Sequence, residues 1–197
     1  MNTRNLTLII VLVVILLFGG CACGGYNGLV TSDQNVKTSW SNVETQYQRR
    51  TDLYSSVIKV IEGSANFEKS TLTAVITARA NATKVTVDVN DSASLGAYQR
   101  AQSQLSGSFS RLLAVSENYP ELKTTQQFAD FQTNIAGTEN RISVARRDFN
   151  QVVNTYNLKV KTFPNNIFAG LFGYHEKPYY KADPGSENAP DIHFDIK

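Results

Sequence analysis

The chain has 197 residues, 42% of them hydrophobic and 18% charged, and its 19 Lys and Arg exceed its 17 Asp and Glu by a formal net charge of +2. The signs are interspersed along the sequence, which excludes the basic footprint of a nucleic-acid binder. The only two cysteines are Cys21 and Cys23, so the body carries neither a disulfide framework nor a thiolate metal site.

An uncharged, almost wholly apolar run from Leu6 to Phe18 follows one cation, Arg4, and leads into Gly19-Gly20-Cys21-Ala22-Cys23. A secretory apolar region needs about 7 to 15 residues and a spanning helix about 17 to 25, so both lengths are available here. Read from Leu6 to Phe18 the run is a signal; continued to Cys23 it is a transmembrane helix. The segment Leu17-Phe18-Gly19-Gly20-Cys21 resembles a bacterial lipobox, which makes Cys21 the candidate lipid-attachment residue. A spanning helix with two ordinary thiols at its outer edge is the alternative. Arg4 precedes the run, and the first cation after it is Lys37, already accompanied by Asp33. The positive-inside rule therefore places the start of the chain in the cytoplasm and the body outside it.

About 175 residues follow, enough for one domain with a real core but short for two. Tyr26, Leu29, Val36, Trp40, Val43, Tyr47, Tyr54, Val57 and Ile61 recur at steps of three and four, with Asp33 and Arg50 at the two positions that would otherwise be apolar. This spacing predicts one helix of about 35 residues, near 50 Å long. Gly63 offers a C-terminal cap and Ser64 an N-cap for a second helix carrying Glu68, Leu72, Val75, Arg79 and Ala82 on one face. Val85, Val87 and Val89 alternate and predict extended chain or a frayed helix end before an Asn90-Asp91-Ser92 turn. A third helix aligns Leu95, Tyr98, Gln102, Leu105, Phe109, Leu112 and Leu113 and ends near Asn118. Pro120, with Glu121 beside it, suits the first turn of a fourth helix. That helix buries Phe128, Phe131, Ile135, Ile142, Ala145, Phe149, Val152, Tyr156 and Val160 until Phe163-Pro164 stops it. Four amphipathic helices with short connections predict an antiparallel up-and-down bundle, hence an all-α protein.

The blocks YNGLV at 26–30, WSNVETQYQRR at 40–50, TLTAVITARA at 71–80, RLLAVSENYPEL at 111–122, TENRISVARRDFN at 138–150 and FPNNIFAGLFGY at 163–174 closely resemble the LemA family. They occur in order, from the anchor almost to the end. The resemblance implies a membrane-anchored protein with a LemA-like four-helix bundle. It implies no enzymatic activity, since the family is essentially without an assigned molecular function. It also implies a short amino terminus outside the cell, the reverse of the charge argument. Two positions depart from the family pattern. An Ile-Pro-Asn stretch common in the family is replaced by Tyr54-Ser55-Ser56 after Asp52-Leu53, and Phe67 stands before Glu68 where a histidine is frequent. The chain's two histidines, His175 and His193, both lie in the tail.

The organisation expected is an anchor or lipoprotein signal at 1–25, a helical bundle at 26–163, and an aromatic then acidic tail at 164–197. Asp33 and Arg50 lie about 25 Å apart along one helix, so each must find its partner elsewhere in the bundle. Folding the helices about the turns near Gly63, Asp91 and Tyr119 puts Arg79 near Glu139, and Asp33 near Arg146 and Arg147. These are read as structural, register-setting ion pairs. No catalytic residue, cofactor or metal ligand is assigned. Four antiparallel helices return the chain to its starting end, so the aromatic segment from Phe163 to Tyr180 emerges near the membrane. There it either forms an interfacial belt or folds back over the seam around Leu29, Val36, Phe149 and Val152. Beyond it, Asp183, Glu187, Asp191 and Asp195 make the tail acidic. The function expected is a membrane-anchored, non-enzymatic interaction or scaffold protein of the bacterial cell envelope, with envelope proteins as partners and no nucleic acid. The alternative is a membrane-tethered enzyme or ligand-binding lipoprotein, which requires a cleft with convergent, strongly perturbed titratable groups.

Overall fold

A computed structural model of the chain describes residues 3–63 and 67–182. Among these the structure is a bundle of helices without strands: α1 (Thr3–Glu62), α2 (Lys69–Lys84), α3 (Ser92–Ser116), α4 (Pro120–Lys123), α5 (Gln126–Lys161) and α6 (Asn165–Phe172). The chain divides into two compact units, each drawn from two distant stretches. One joins Met1–Arg50 to Gly137–Tyr179, the other Thr51–Ala136 to Tyr180–Lys197. The predicted N-cap Ser64, His193 and the acidic residues Asp183, Glu187, Asp191 and Asp195 lie outside the described residues.

Helix α1 is 60 residues long, far longer than its apolar spacing predicts, because it takes in the apolar run as well. No proline interrupts it, and the Ser55 and Ser56 hydroxyls donate to the Thr51 and Asp52 carbonyls at 2.7 and 3.1 Å, so these polar residues are satisfied without leaving the helix. Gly63 closes α1 by donating its amide to the Lys59 carbonyl, with no left-handed turn. Among the described residues no helix is long and apolar enough to cross a membrane. Within the run itself the side chains of Leu6, Val14, Leu17 and Phe18 lie outside the described residues, as does that of Cys21.

In the second unit the apolar faces of α2, α3 and the adjoining turns of α1 and α5 meet in one cluster that includes Val57, Ile61, Val75, Leu105, Leu112 and Leu122. Its centre is aromatic. Tyr54 stacks on Phe109 at 3.7 Å between ring centroids, and Phe131 lies 5.2 Å from Phe109. Phe67 is buried and packs at 4.9 Å against Tyr119, which explains an apolar residue beside Glu68. Val85 leaves α2 in extended conformation, Val89 and Asn90 form a turn, and Asp91 then caps α3 by accepting the Ala93 and Ser94 amides.

The fourth helix expected from Pro120 onward is broken in two. Helix α4 is a single turn; the Thr125 hydroxyl then accepts the Phe128 amide at 3.4 Å, an N-cap that restarts the chain as α5. Thr124 and Thr125 also donate to the Glu121 and Leu122 carbonyls, the local competition that ends a helix. Along α5 the buried face is Phe149, Val153, Tyr156 and Val160, so Val153 rather than Val152 is the interior residue.

In the first unit α1 and α5 run antiparallel. As the α1 partner moves from Arg50 through Trp40 to Ser32, the α5 partner moves from Glu139 through Phe149 to Lys159. Two helices alone leave apolar surface open on both sides, and α6 closes part of it by burying Phe168 and Ala169. Gly25 is what admits α6: a Cβ there would lie 3.1 Å from both the Phe168 ring and the Asn165 Oδ1. Gly173, at φ 74°, caps α6 in the left-handed region that only glycine adopts freely, and turns the chain into an extended segment. The aromatic tail thus folds back as a cover at Phe168, and does so as a helix.

Gly28 serves as the internal control, since a Cβ there meets nothing within 4 Å. Gly28→Ala is expected to stabilise the chain by roughly 0.5 to 1 kcal/mol through helix propensity. Gly25→Ala is expected to lose that gain and destabilise, because overpacking costs about 1 to 3 kcal/mol. Thermal unfolding of the two variants in parallel checks the difference; equal stabilisation would mean that α6 does not pack on Gly25.

Candidate functional site: the charged seam of the α1–α5 pair

The buried charges of the first unit lie at two places along α1. At its far end Arg50 donates from Nη1 to Glu139 Oε1 at 3.3 Å, with the guanidinium 4.7 Å from the centre of the Tyr47 ring. The Arg50 side chain is 4% exposed whereas Glu139 is 44% exposed, so the arginine is buried and the carboxylate reaches in from the edge. Arg79, expected to hold Glu139, sits half-buried on α2 in the other unit, and its Nε makes no hydrogen bond. Helix counting from turn to turn had carried the register through α2 and α3, but the direct α1–α5 pairing sets it.

Nearer the start of α1, Asp33 accepts from Lys177 at 2.7 Å and from Lys37 at 2.8 Å. The cation facing Asp33 is therefore Lys177 and not Arg146, which lies half-buried on α5. Lys177 belongs to the extended segment after α6, a place no helix arithmetic could find. Its ammonium is 5.0 Å from the Tyr156 ring centre and its side chain is 3% exposed. The segment is held there by its backbone. Asn157 accepts the Lys177 amide through Oδ1 and donates from Nδ2 to the Lys177 carbonyl, both at 2.9 Å. Tyr156 donates its hydroxyl to the His175 carbonyl at 3.0 Å, and Tyr179 donates to Asn154 Oδ1 at 3.2 Å. On the exposed side Lys161 pairs with Glu176 at 2.8 Å. Asn157 is the residue that sequence reasoning passed over. Its only signal was a polar side chain beside Tyr156 and one step from the apolar series.

Burial alone would push the Asp33 carboxyl up, but hydrogen bonds and positive charge from Lys177 and Lys37 outweigh it and hold the group below its ordinary value. Lys37 is correspondingly raised by its bond to Asp33. The Tyr156 phenol is pushed up to about 12, first by burial and then by the Asp33 and Tyr174 charges, so it remains a neutral donor to His175. These shifts follow from closed pairs. A shallow groove of about 260 Å³ also runs along the unit, lined by Ser39, Asn42, Gln46, Asn140, Arg141 and Asp148 among others. Elsewhere serine and threonine hydroxyls such as Thr31, Thr45 and Thr155 donate to carbonyls four residues back instead of to a base. Among the described residues no three His, Cys, Asp or Glu side chains gather as a metal site. His175 is exposed and joins the structure through its carbonyl.

A family model described as LemA family matches residues 39–194. The chain belongs to the LemA family. It is similar to the magnetosome protein MamQ 2 of Paramagnetospirillum magneticum, 23% identical over 185 residues that cover 82% of this chain and 66% of that protein. It is likewise similar to the magnetosome protein MamQ of Magnetospirillum gryphiswaldense, at 22% identity with the same coverage. Protein LemA of Metamycoplasma hominis is 24% identical over 159 residues, 81% of this chain and 70% of that protein. The chain thus spans 66% of the length of the magnetosome relatives. The family match takes in Arg50, Glu139, Asn157 and Lys177, whereas Asp33 and Lys37 lie before its first residue.

Removing either partner of the inner pair should have unequal effects. Asp33→Ala leaves Lys177 charged, buried and uncompensated, and is expected to destabilise by about 3 to 5 kcal/mol. Lys177→Ala should cost less, because Asp33 keeps Lys37 and is itself 18% exposed. A carboxyl whose pKa is lowered by folding contributes fully above its unfolded value, here 3.8, and that contribution is lost as pH falls through the folded value. Urea unfolding should therefore show wild-type stability dropping below that pH, with a shallower drop in Asp33→Asn; identical acid profiles would place the acid sensitivity elsewhere.

Proposed function

We propose that this protein is a membrane-anchored, non-enzymatic interaction module of the bacterial cell envelope, with its helical body held outside the cytoplasm. The observation that carries the reading is the start of α1. Leu8, Ile9, Ile10, Val11, Leu12, Val13, Ile15 and Leu16 are all 47% exposed or more. Eight such positions in so short a stretch surround the helix, and no described residue covers them. An apolar helix bare on every side is matched by a lipid environment, not by a core. The same helix continues without a break into the charged seam, so anchor and body are one element and the body cannot swivel on a flexible linker. Arg4 before the run and the absence of a cation between it and Lys37 favour a cytoplasmic start. The seam's charges are neutralised in pairs, which supports holding a shape over performing a reaction, and the polar outer faces of α1 and α5 offer the surface for envelope partners. Cys21 in its lipobox-like setting supplies a second mode of anchoring, by acylation.

Carbonate washing should leave the wild-type chain in the membrane. Ile15→Arg with Leu16→Arg should release it, since a charge at the centre of a spanning helix costs about 2.5 to 3.5 kcal/mol per residue on insertion scales. Release of the wild type by the wash, or retention of the double variant, would reject a spanning anchor. Mass spectrometry of the amino terminus then separates the modes: a chain beginning at acylated Cys21 is a lipoprotein, one beginning at Met1 or Asn2 is spanned. Protease added to intact spheroplasts should cut the body; full protection would reverse the orientation.

A further inference from the structure

The carboxyl-terminal helix presents a second apolar surface beside the first. Between Lys161 and Glu176 the sequence contains no Asp, Glu, Lys or Arg, and the two charges that bound this stretch neutralise each other at 2.8 Å. Within it α6 divides its side chains. Phe168 and Ala169 are buried, whereas Ile167 is 50% exposed and Leu171 76%; Phe163, in the turn before the helix, is 79% exposed. Ile167 and Leu171 lie four apart, so they form one apolar strip on α6. The buried face fixes the helix against α1 at Gly25, and Phe172 meets Tyr26 edge-on at 4.8 Å between centroids.

That attachment point sets the depth. A spanning helix needs about 20 residues to cross a hydrocarbon core of about 30 Å. Counted from Leu6, the first residue of the apolar run, a span of that length ends at Gly25. The strip on α6 therefore sits where an embedded α1 leaves the hydrocarbon, at the level of the headgroups. Aromatic and aliphatic side chains on an uncharged, partly buried helix at that level match the interfacial layer.

We propose that α6 is a second membrane contact, an interfacial helix whose Ile167 and Leu171, with Phe163 in the turn before it, lie among the headgroups and upper acyl chains of the bilayer that receives α1. The proposal rests on the anchoring reading of α1. It gives the protein two contacts with one lipid surface: a helix that enters it and a short helix that lies in it.

The full-length chain in phospholipid vesicles tests this with lipids brominated at a shallow acyl position, which quench tryptophan only at close range. Trp40 is the sole native tryptophan and is 5% exposed. It lies about 22 Å along α1 beyond Gly25, where the span ends, at 1.5 Å per residue, out of reach of the bromines, and supplies a constant baseline. Leu12→Trp reports the anchor and Leu171→Trp reports α6, with Ile167→Trp repeating the measurement one turn away. Circular dichroism of each variant checks the helix content. The emission added at 12, 171 and 167 is expected to fall toward the Trp40 baseline in brominated vesicles. Loss at 12 with full emission at 171 and 167 overturns the proposal and leaves the anchor standing. Emission at 171 that is blue-shifted but unquenched overturns it by putting the strip against protein, such as a second copy of the chain. Full emission at all three positions overturns the anchor and the proposal together.

Discussion

The amide of Asn157 holds the first unit together. Its oxygen takes the Lys177 N–H and its nitrogen gives to the Lys177 carbonyl, so a single side chain on α5 completes the backbone bonding of a residue in extended chain. A buried extended segment would otherwise carry an unpaired donor and acceptor, each costing on the order of 1 to 3 kcal/mol. Once its backbone is satisfied, Lys177 can be buried, and it joins the exposed Lys37 in neutralising Asp33 on α1. The three residues come from three parts of the chain and depend on one another. Asn157 admits the segment, Lys177 brings the charge, and Asp33 gives that charge a reason to be inside.

This closure explains how two long helices can be stable along a stretch where no other long helix accompanies them. An antiparallel pair buries one stripe of each member and leaves the flanks open. In this unit the open flank is covered by α6, the left-handed turn at Gly173 and the Asn157-held segment. The other unit uses an ordinary solution, with α2 and α3 packed around the Tyr54, Phe109 and Phe131 rings. One chain thus builds the same kind of apolar interior in two ways, by helices where it has them and by a carboxyl-terminal cover where it does not.

Much of the helical framework was legible in the sequence because it rests on apolar periodicity. The series Leu29, Val36, Trp40, Val43 and Tyr47 is buried as its spacing requires, Val85 is extended, and Pro120 opens a helix, though one of a single turn. What was not legible depends on contacts between distant residues. Nothing local tells Asn157 from any other polar residue on a helix, and the Asp33 partner lay in a segment whose path follows from Gly173 and from the room left at Gly25. The register of Arg50 with Glu139 was missed because counting around α2 and α3 accumulates error at each turn, and the break at Thr124-Thr125 adds to it. The composition of the aromatic tail was plain; that Phe168 would be buried while Phe163 and Phe172 stay exposed required the packing of α6.

Amide hydrogen exchange of the full-length chain tests this account most directly. The Lys177 N–H is bonded to Asn157 and lies in the only part of the cover that has no helix to protect it. If Asn157 and Asp33 close the unit, that amide exchanges as slowly as the buried turns of α5 around Phe149 and Tyr156, and both accelerate together in Asn157→Ala. If Lys177 exchanges at the rate of free chain while α1 and α5 remain protected, the cover is an ornament on a self-sufficient helix pair, and the central claim is wrong.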